Sequence, residues 1–146
     1  MKTITTTYDP TTNLLTTTYK GPLTAEDAKT WESQLTEATE KIPANTDFKL
    51  LLDIHSFEPI NIDAHKAMRN IIPMLLANHG LRPAFIDLFD EKPELPIKIE
   101  NGKRCVAFAN VHHEENKMAD YQRRIGKPNQ HFFTDYEKAK AWILSL

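Results

Sequence analysis

Histidine is the residue of this chain best suited to chemistry, and three of the six stand where α/β proteins build sites. His55 follows the apolar run FKLLLDI (Phe48 to Ile54), and His112 and His113 follow a second such run that ends at Asn110. In α/β sheets ligands bind outside the carboxyl ends of strands, so these imidazoles are expected to converge at one mouth. There His55 or His112 could act as a general base, or His112 and Asn110 could hold the polar end of a ligand. The plainer reading is that they are loop and capping histidines. A metal site is not expected, because adjacent helical residues point about 100° apart. His112 and His113 of the HHEE stretch therefore cannot share one ion as an i, i+4 pair can.

Other chemistry is absent from the pattern. The four glycines, Gly21, Gly80, Gly102 and Gly126, fit neither a phosphate-cradling loop nor a dinucleotide fingerprint. Ser33, Ser56 and Ser145 lack the G-x-S-x-G turn that exposes a nucleophile. Cys105, the lone cysteine, lies inside CVAFA, where a thiol behaves as a small hydrophobe and has no disulfide partner. The expectation is a protein that is no enzyme, needs no cofactor and occupies a reducing compartment.

Eighteen Lys plus Arg against 20 Asp plus Glu give a formal net charge of −2, without the basic excess that binds phosphate backbones. No nucleic-acid partner is expected. The first residues, MKTITTTYDP, lack the continuous apolar stretch of a signal peptide. The block Ile71 to Ala77 falls far short of the roughly 20 apolar residues that span a bilayer. A cytoplasmic protein that can touch a membrane without crossing it fits these features.

The positioning elements are legible from periodicity. Thr3 to Tyr8 and Leu14 to Tyr19 flank the turn residues of DPTTN and read as a β-hairpin. Thr24 and Asp27 approach a capping box ahead of Ala28, Trp31, Leu35, Ala38 and Ile42, which repeat at helical spacing up to Pro43. Phe48 to Ile54 is apolar enough to be a central strand covered on both faces. Asn61 or Asp63 can cap a second helix running to Gly80, with a kink expected at Pro73. From Leu81 to Gly102, PAFIDLF reads as a strand, DEKPELP as an acidic loop, and Asn101-Gly102 as a hairpin turn leading into a strand from Lys103 to Ala109. A polar helix from about His113 to Ile125, the strand QHFF and a last helix opened by Thr134 and Glu137 complete the chain.

This alternation predicts a single layered α/β domain over residues 1–146, with a mixed, mostly parallel sheet, an N-terminal β-hairpin and about four helices. Its second helix carries Ile71, Ile72, Met74, Leu75 and Leu76 in nearly every direction. Such a face is core in most proteins; hinged at Pro73, it could also meet a lipid or acyl chain. A pocket between that helix and the sheet would be lined by His55, Phe57, Met68, Ile71, Ile72, Met74 and Leu76, with Asn110 and His112 at its polar end.

The LLLDI strand, the following helix with its internal I-P-M and the ending HFFTDYEKAKAWI resemble the SpoIIAA-like group of the STAS superfamily, small domains of the anti-sigma-factor-antagonist fold. The resemblance implies a mixed sheet with helices mostly on one side, related to CRAL-TRIO lipid-transfer domains. It also implies a mobile apolar helix that meets a lipophilic ligand or a membrane surface. Anti-sigma members act instead as phosphorylation switches on regulatory protein partners, through a serine at the start of the helix after the central strand. The matching stretch here, EPINIDAHK, has no serine or threonine, so only an interaction module without that switch is expected. The segment Leu81 to Gly102 is longer than the group usually carries and suggests an extra hairpin.

Overall fold

The computed structural model describes residues 2–88 and 94–146. In chain order the elements are β1 (Thr3–Asp9), β2 (Leu14–Leu23), α1 (Ala25–Glu40), β3 (Asp47–Asp53), β4 (Phe57–Pro59), α2 (Ile62–Met68) and α3 (Ile71–Ala77). After two 3-10 turns, Ala84–Leu88 and Glu100–Gly102, come β5 (Arg104–Val111), α4 (Glu115–Ile125), β6 (Gln130–Phe133) and α5 (Tyr136–Leu144).

The sheet order is β1-β2-β3-β5-β6, with β4 pairing the far end of β2. Among the pairs of described strands, only the β1–β2 hairpin is antiparallel, and the others are parallel. The α/β class and the mixed, mostly parallel sheet thus follow the alternation in the sequence. On β3, Leu50, Leu51 and Leu52 are all buried, so both faces need cover. Leu50, Leu52 and Phe108 join Trp31 and Leu35 of α1, Met68 of α2 and Ile72 of α3 in one core. Leu51, Ala107, Ala109 and Val111 meet Ala139 and Ile143 of α5 on the opposite face.

Local chemistry explains most boundaries. Thr24 and Asp27 form the reciprocal capping box of α1, with the Asp27 N–H donating to Thr24 Oγ1 at 3.1 Å and the Thr24 N–H donating to Asp27 Oδ2 at 2.8 Å. The cap of α5 differs from expectation. Asp135, one residue beyond Thr134, accepts the Lys138 N–H at 3.2 Å. The fourth helix likewise starts at Glu115 and not at His113.

The expected single helix kinked at Pro73 is two short helices, broken at Arg69 and Asn70. Pro73 lies in the first turn of α3, where its missing N–H would have had no intrahelical acceptor, so no kink arises there.

The segment expected as the strand PAFIDLF is instead the 3-10 turn Ala84–Leu88, clamped by the buried Gln130 of β6. Gln130 Oε1 accepts the Ala84 N–H at 2.8 Å, and its Nε2 donates to the Arg82 carbonyl at 3.0 Å. The Asn101-Gly102 turn has positive φ at both residues, as its chemistry demands, yet it makes no β-hairpin. Beside the start of β5 the place of a hairpin partner is taken by His79, whose carbonyl accepts the Cys105 N–H, and Ile99 bridges His79 behind α3. Residues 89–93, part of the expected acidic loop and extra hairpin, lie outside the described residues.

Gln130→Leu keeps the side-chain volume but orphans two backbone groups. It should destabilise the fold by about 2 kcal/mol and remove hydrogen-exchange protection from the Ala84 amide, readable by denaturation and by exchange NMR. An unchanged Ala84 amide would show that the clamp does not hold this segment.

Candidate functional site

A cleft of about 190 Å³ opens at the carboxyl ends of β3 and β5. Its position follows from the break between α2 and α3. Leu52 and Ile54 line its floor, and Met68, Arg69, Ile72 and Pro73 line the side formed by the broken helix pair. Trp31 of α1, Phe57, Phe85 of the first 3-10 turn, and Lys117, Met118 and Tyr121 of α4 close the remaining walls. Trp31 is fixed in turn, its Nε1–H donating to Thr17 Oγ1 at 2.7 Å and its ring stacked on Tyr19 at 4.4 Å.

The polar end comes from one strand. Asn110 and His112 are two residues apart in the chain, so they share the sheet face of Phe108 and look into the cleft. Asn110 is only 8% exposed, and its side-chain oxygen Oδ1 has no hydrogen-bond partner among the described residues. Leaving such an acceptor buried and unpaired costs about 1–3 kcal/mol, a penalty that a core position would normally avoid.

His112 is a donor here. Its Nδ1 accepts the Glu114 N–H at 3.1 Å, which leaves the ring proton on Nε2. Burial, aided by the charges of Lys117 and His113, pushes its pKa down from 6.5 to about 4, so the ring is neutral. With one nitrogen occupied and the other protonated, it offers a hydrogen bond and not a basic lone pair, which is the wrong state for the general base considered from sequence.

The three imidazoles do meet at this mouth. His112 stacks on His113 at 4.4 Å, and His113 lies 6.3 Å from His55, with its Nδ1 donating to the His55 carbonyl at 2.6 Å. Among the described residues, no group of His, Cys, Asp or Glu could hold a metal ion. Cys105 is fully enclosed, and burial lifts its thiol to about 12.

Of the residues singled out from sequence, Phe57, Met68, Ile72, Asn110 and His112 line the cleft. Ile71 and Leu76 point into the core, and Met74 is 46% exposed on the outer side of α3. His55 lies beside the mouth, with its Nδ1 3.2 Å from Ser56 Oγ. Periodicity gave no hint of Arg69, Lys117 or Tyr121, because two elements distant in the chain bring them together. Trp31 was visible only as a core position of α1. No protein-family model matches the chain, and no curated protein matches it. Among the described residues, no helix is long and apolar enough to cross a membrane.

Two outcomes follow from this geometry. Asn110→Leu, with the same branching and heavy-atom count, removes the unpaired acceptor and should raise stability by about 1 kcal/mol or more in chemical denaturation; an equal loss would mean that Asn110 is needed to hold the strand. For His112, the folded pKa lies below the unfolded one, so the unfolded chain binds the proton more tightly. Stability from this residue is complete above about 6.5 and is lost as pH falls toward about 4. His112→Gln should therefore flatten the drop in denaturation midpoint between neutral and mildly acid pH, and an unaltered drop would assign it to other groups.

Proposed function

We propose that this domain acts by binding and not by turnover, holding a small lipophilic molecule between the broken helix pair α2–α3 and the sheet. One observation carries the reading: an apolar cleft at the carboxyl edge of the central strands ends in a buried carboxamide oxygen that lacks a partner. An engineered cavity of about 150 Å³ takes up benzene, so the space here suits one ring or a short branched chain with a polar head. A full acyl chain would need the helix pair to move away from the sheet.

The place of the cleft, beneath the helix after the central strand, is also where kinship with the SpoIIAA-like group would put a ligand. In the stretch EPINIDAHK, which matches the start of that group's phosphorylated helix and has no serine or threonine, Asn61 accepts the Ala64 N–H at 2.8 Å as the cap of α2. This supports a module without the phosphoswitch.

A second reading, docking to a membrane surface or a regulatory protein partner, draws on Ile60 and Ile62, which are 53% and 72% exposed beside the start of α2. One methyl NMR experiment separates the two. With a neutral ring probe such as benzyl alcohol, the Met68 and Ile72 methyl signals should shift while the exposed Met74 methyl stays still. Silence of Met68 and Ile72 at tens of millimolar probe would sink the cleft reading. Anionic vesicles that broaden Ile62 and Met74 while sparing Met68 would favour the surface.

A further inference from the structure

We propose that the molecule this cleft takes is a small α-hydroxy carboxylate with an aromatic or short branched apolar body. The inference rests on the cleft being a ligand site and adds the chemistry of the ligand's head. Asn110 Oδ1 is an acceptor without a partner, so the head must bring an O–H or N–H. His112 donates through Nε2–H, its Nδ1 being held by the Glu114 backbone, so the head must also bring an acceptor.

Asn110 lies in β5 and His112 one residue past its end, and at extended spacing two such positions are roughly 6.6 Å apart between Cα atoms. A donor and an acceptor on adjacent atoms of one head, as in a hydroxyl beside a carboxylate, can meet both. An ionised carboxylate alone only accepts and leaves Asn110 Oδ1 unmet, whereas a hydroxyl alone can donate and accept but brings no charge to the cationic rim.

Charge selects the anion. Among the described residues, His65, Arg69 and Lys117 line the cleft, and no Asp or Glu does. Arg69 makes no ion pair among the described residues. Among the described residues Lys117 forms one ion pair, with Glu114 at 3.6 Å, and lies 5.6 Å from the Tyr121 ring; both side chains of the pair are about half exposed, and such a pair adds little and yields readily. The wall of Trp31, Phe57, Phe85 and Tyr121 favours a flat ring as the body.

Four one-ring probes test this on the full chain by NMR titration: mandelate; phenylacetate, which lacks the hydroxyl; 1-phenyl-1,2-ethanediol, which lacks the charge; and 1-phenylethylammonium, which reverses it. Mandelate should bind best, phenylacetate about fivefold and the diol about tenfold more weakly, with the ammonium weakest of all. Asn110→Leu should abolish the preference for mandelate over phenylacetate. Arg69→Ala with Lys117→Ala, both at the solvent-facing rim, should abolish its preference over the diol. Thermal melts confirm that each variant is folded. If the diol or the ammonium binds as tightly as mandelate, or if Asn110→Leu leaves the preference intact, the α-hydroxy acid inference is overturned and the cleft reading survives. If none of the four probes shifts the Met68 or Ile72 methyls, both fall together.

Discussion

The structure depends on a pair of parallel strands that cannot face water on either side. β3 and β5 present leucine, phenylalanine, alanine and valine to both faces of the sheet, and burying these side chains is the main favourable term available to the chain. The requirement dictates the layers. α1 to α4 cover one face, α5 covers the other, and the hairpin of β1 and β2 extends the sheet far enough for α1 to pack on it. Connections between parallel strands must cross the sheet, which leaves loops at the carboxyl edge of β3 and β5.

Cover on the helical face thins where α2 stops and α3 starts. A single helix through that region would have laid one straight ridge over β3 and β5. The break at Arg69 and Asn70 turns the ridge aside and leaves a gap over Leu52 and Asn110. Polar atoms survive at the edge of this gap in states that a closed core would reject. Asn110 retains an unpaired oxygen, and His112 stays neutral because burial disfavours its charged form. The same opening that lowers the packing quality supplies the directional groups.

Several local signals in the sequence are used by the fold differently from what they predict alone. Asn101-Gly102 adopts the left-handed turn its residues favour, but the preceding IKIE segment does not pair with β5, because the His79 carbonyl takes the Cys105 N–H and Ile99 bridges His79 instead. Pro73 restricts the backbone as any proline does, and by falling in the first turn of α3 it marks a helix start instead of a kink. PAFIDLF has strand-like composition, yet Gln130 bonds the Ala84 N–H and the preceding Arg82 carbonyl, and Ala84–Leu88 forms a 3-10 turn. In each case a partner far along the chain outweighed a local preference.

The sequence by itself determined the α/β class, the hairpin, the central strands and the first helix with its capping box, because each rests on periodicity or capping within a dozen residues. It also placed Asn110 and His112 at a strand end, where sheets of this class hold ligands. Only the tertiary structure decided which apolar residues of the second helical region face a cleft and which the core, since Met68, Ile71, Ile72 and Leu76 are alike in kind and differ only in direction. It alone brought Arg69 and Lys117 to the same mouth, because charge complementarity between distant elements leaves no periodic trace in the chain.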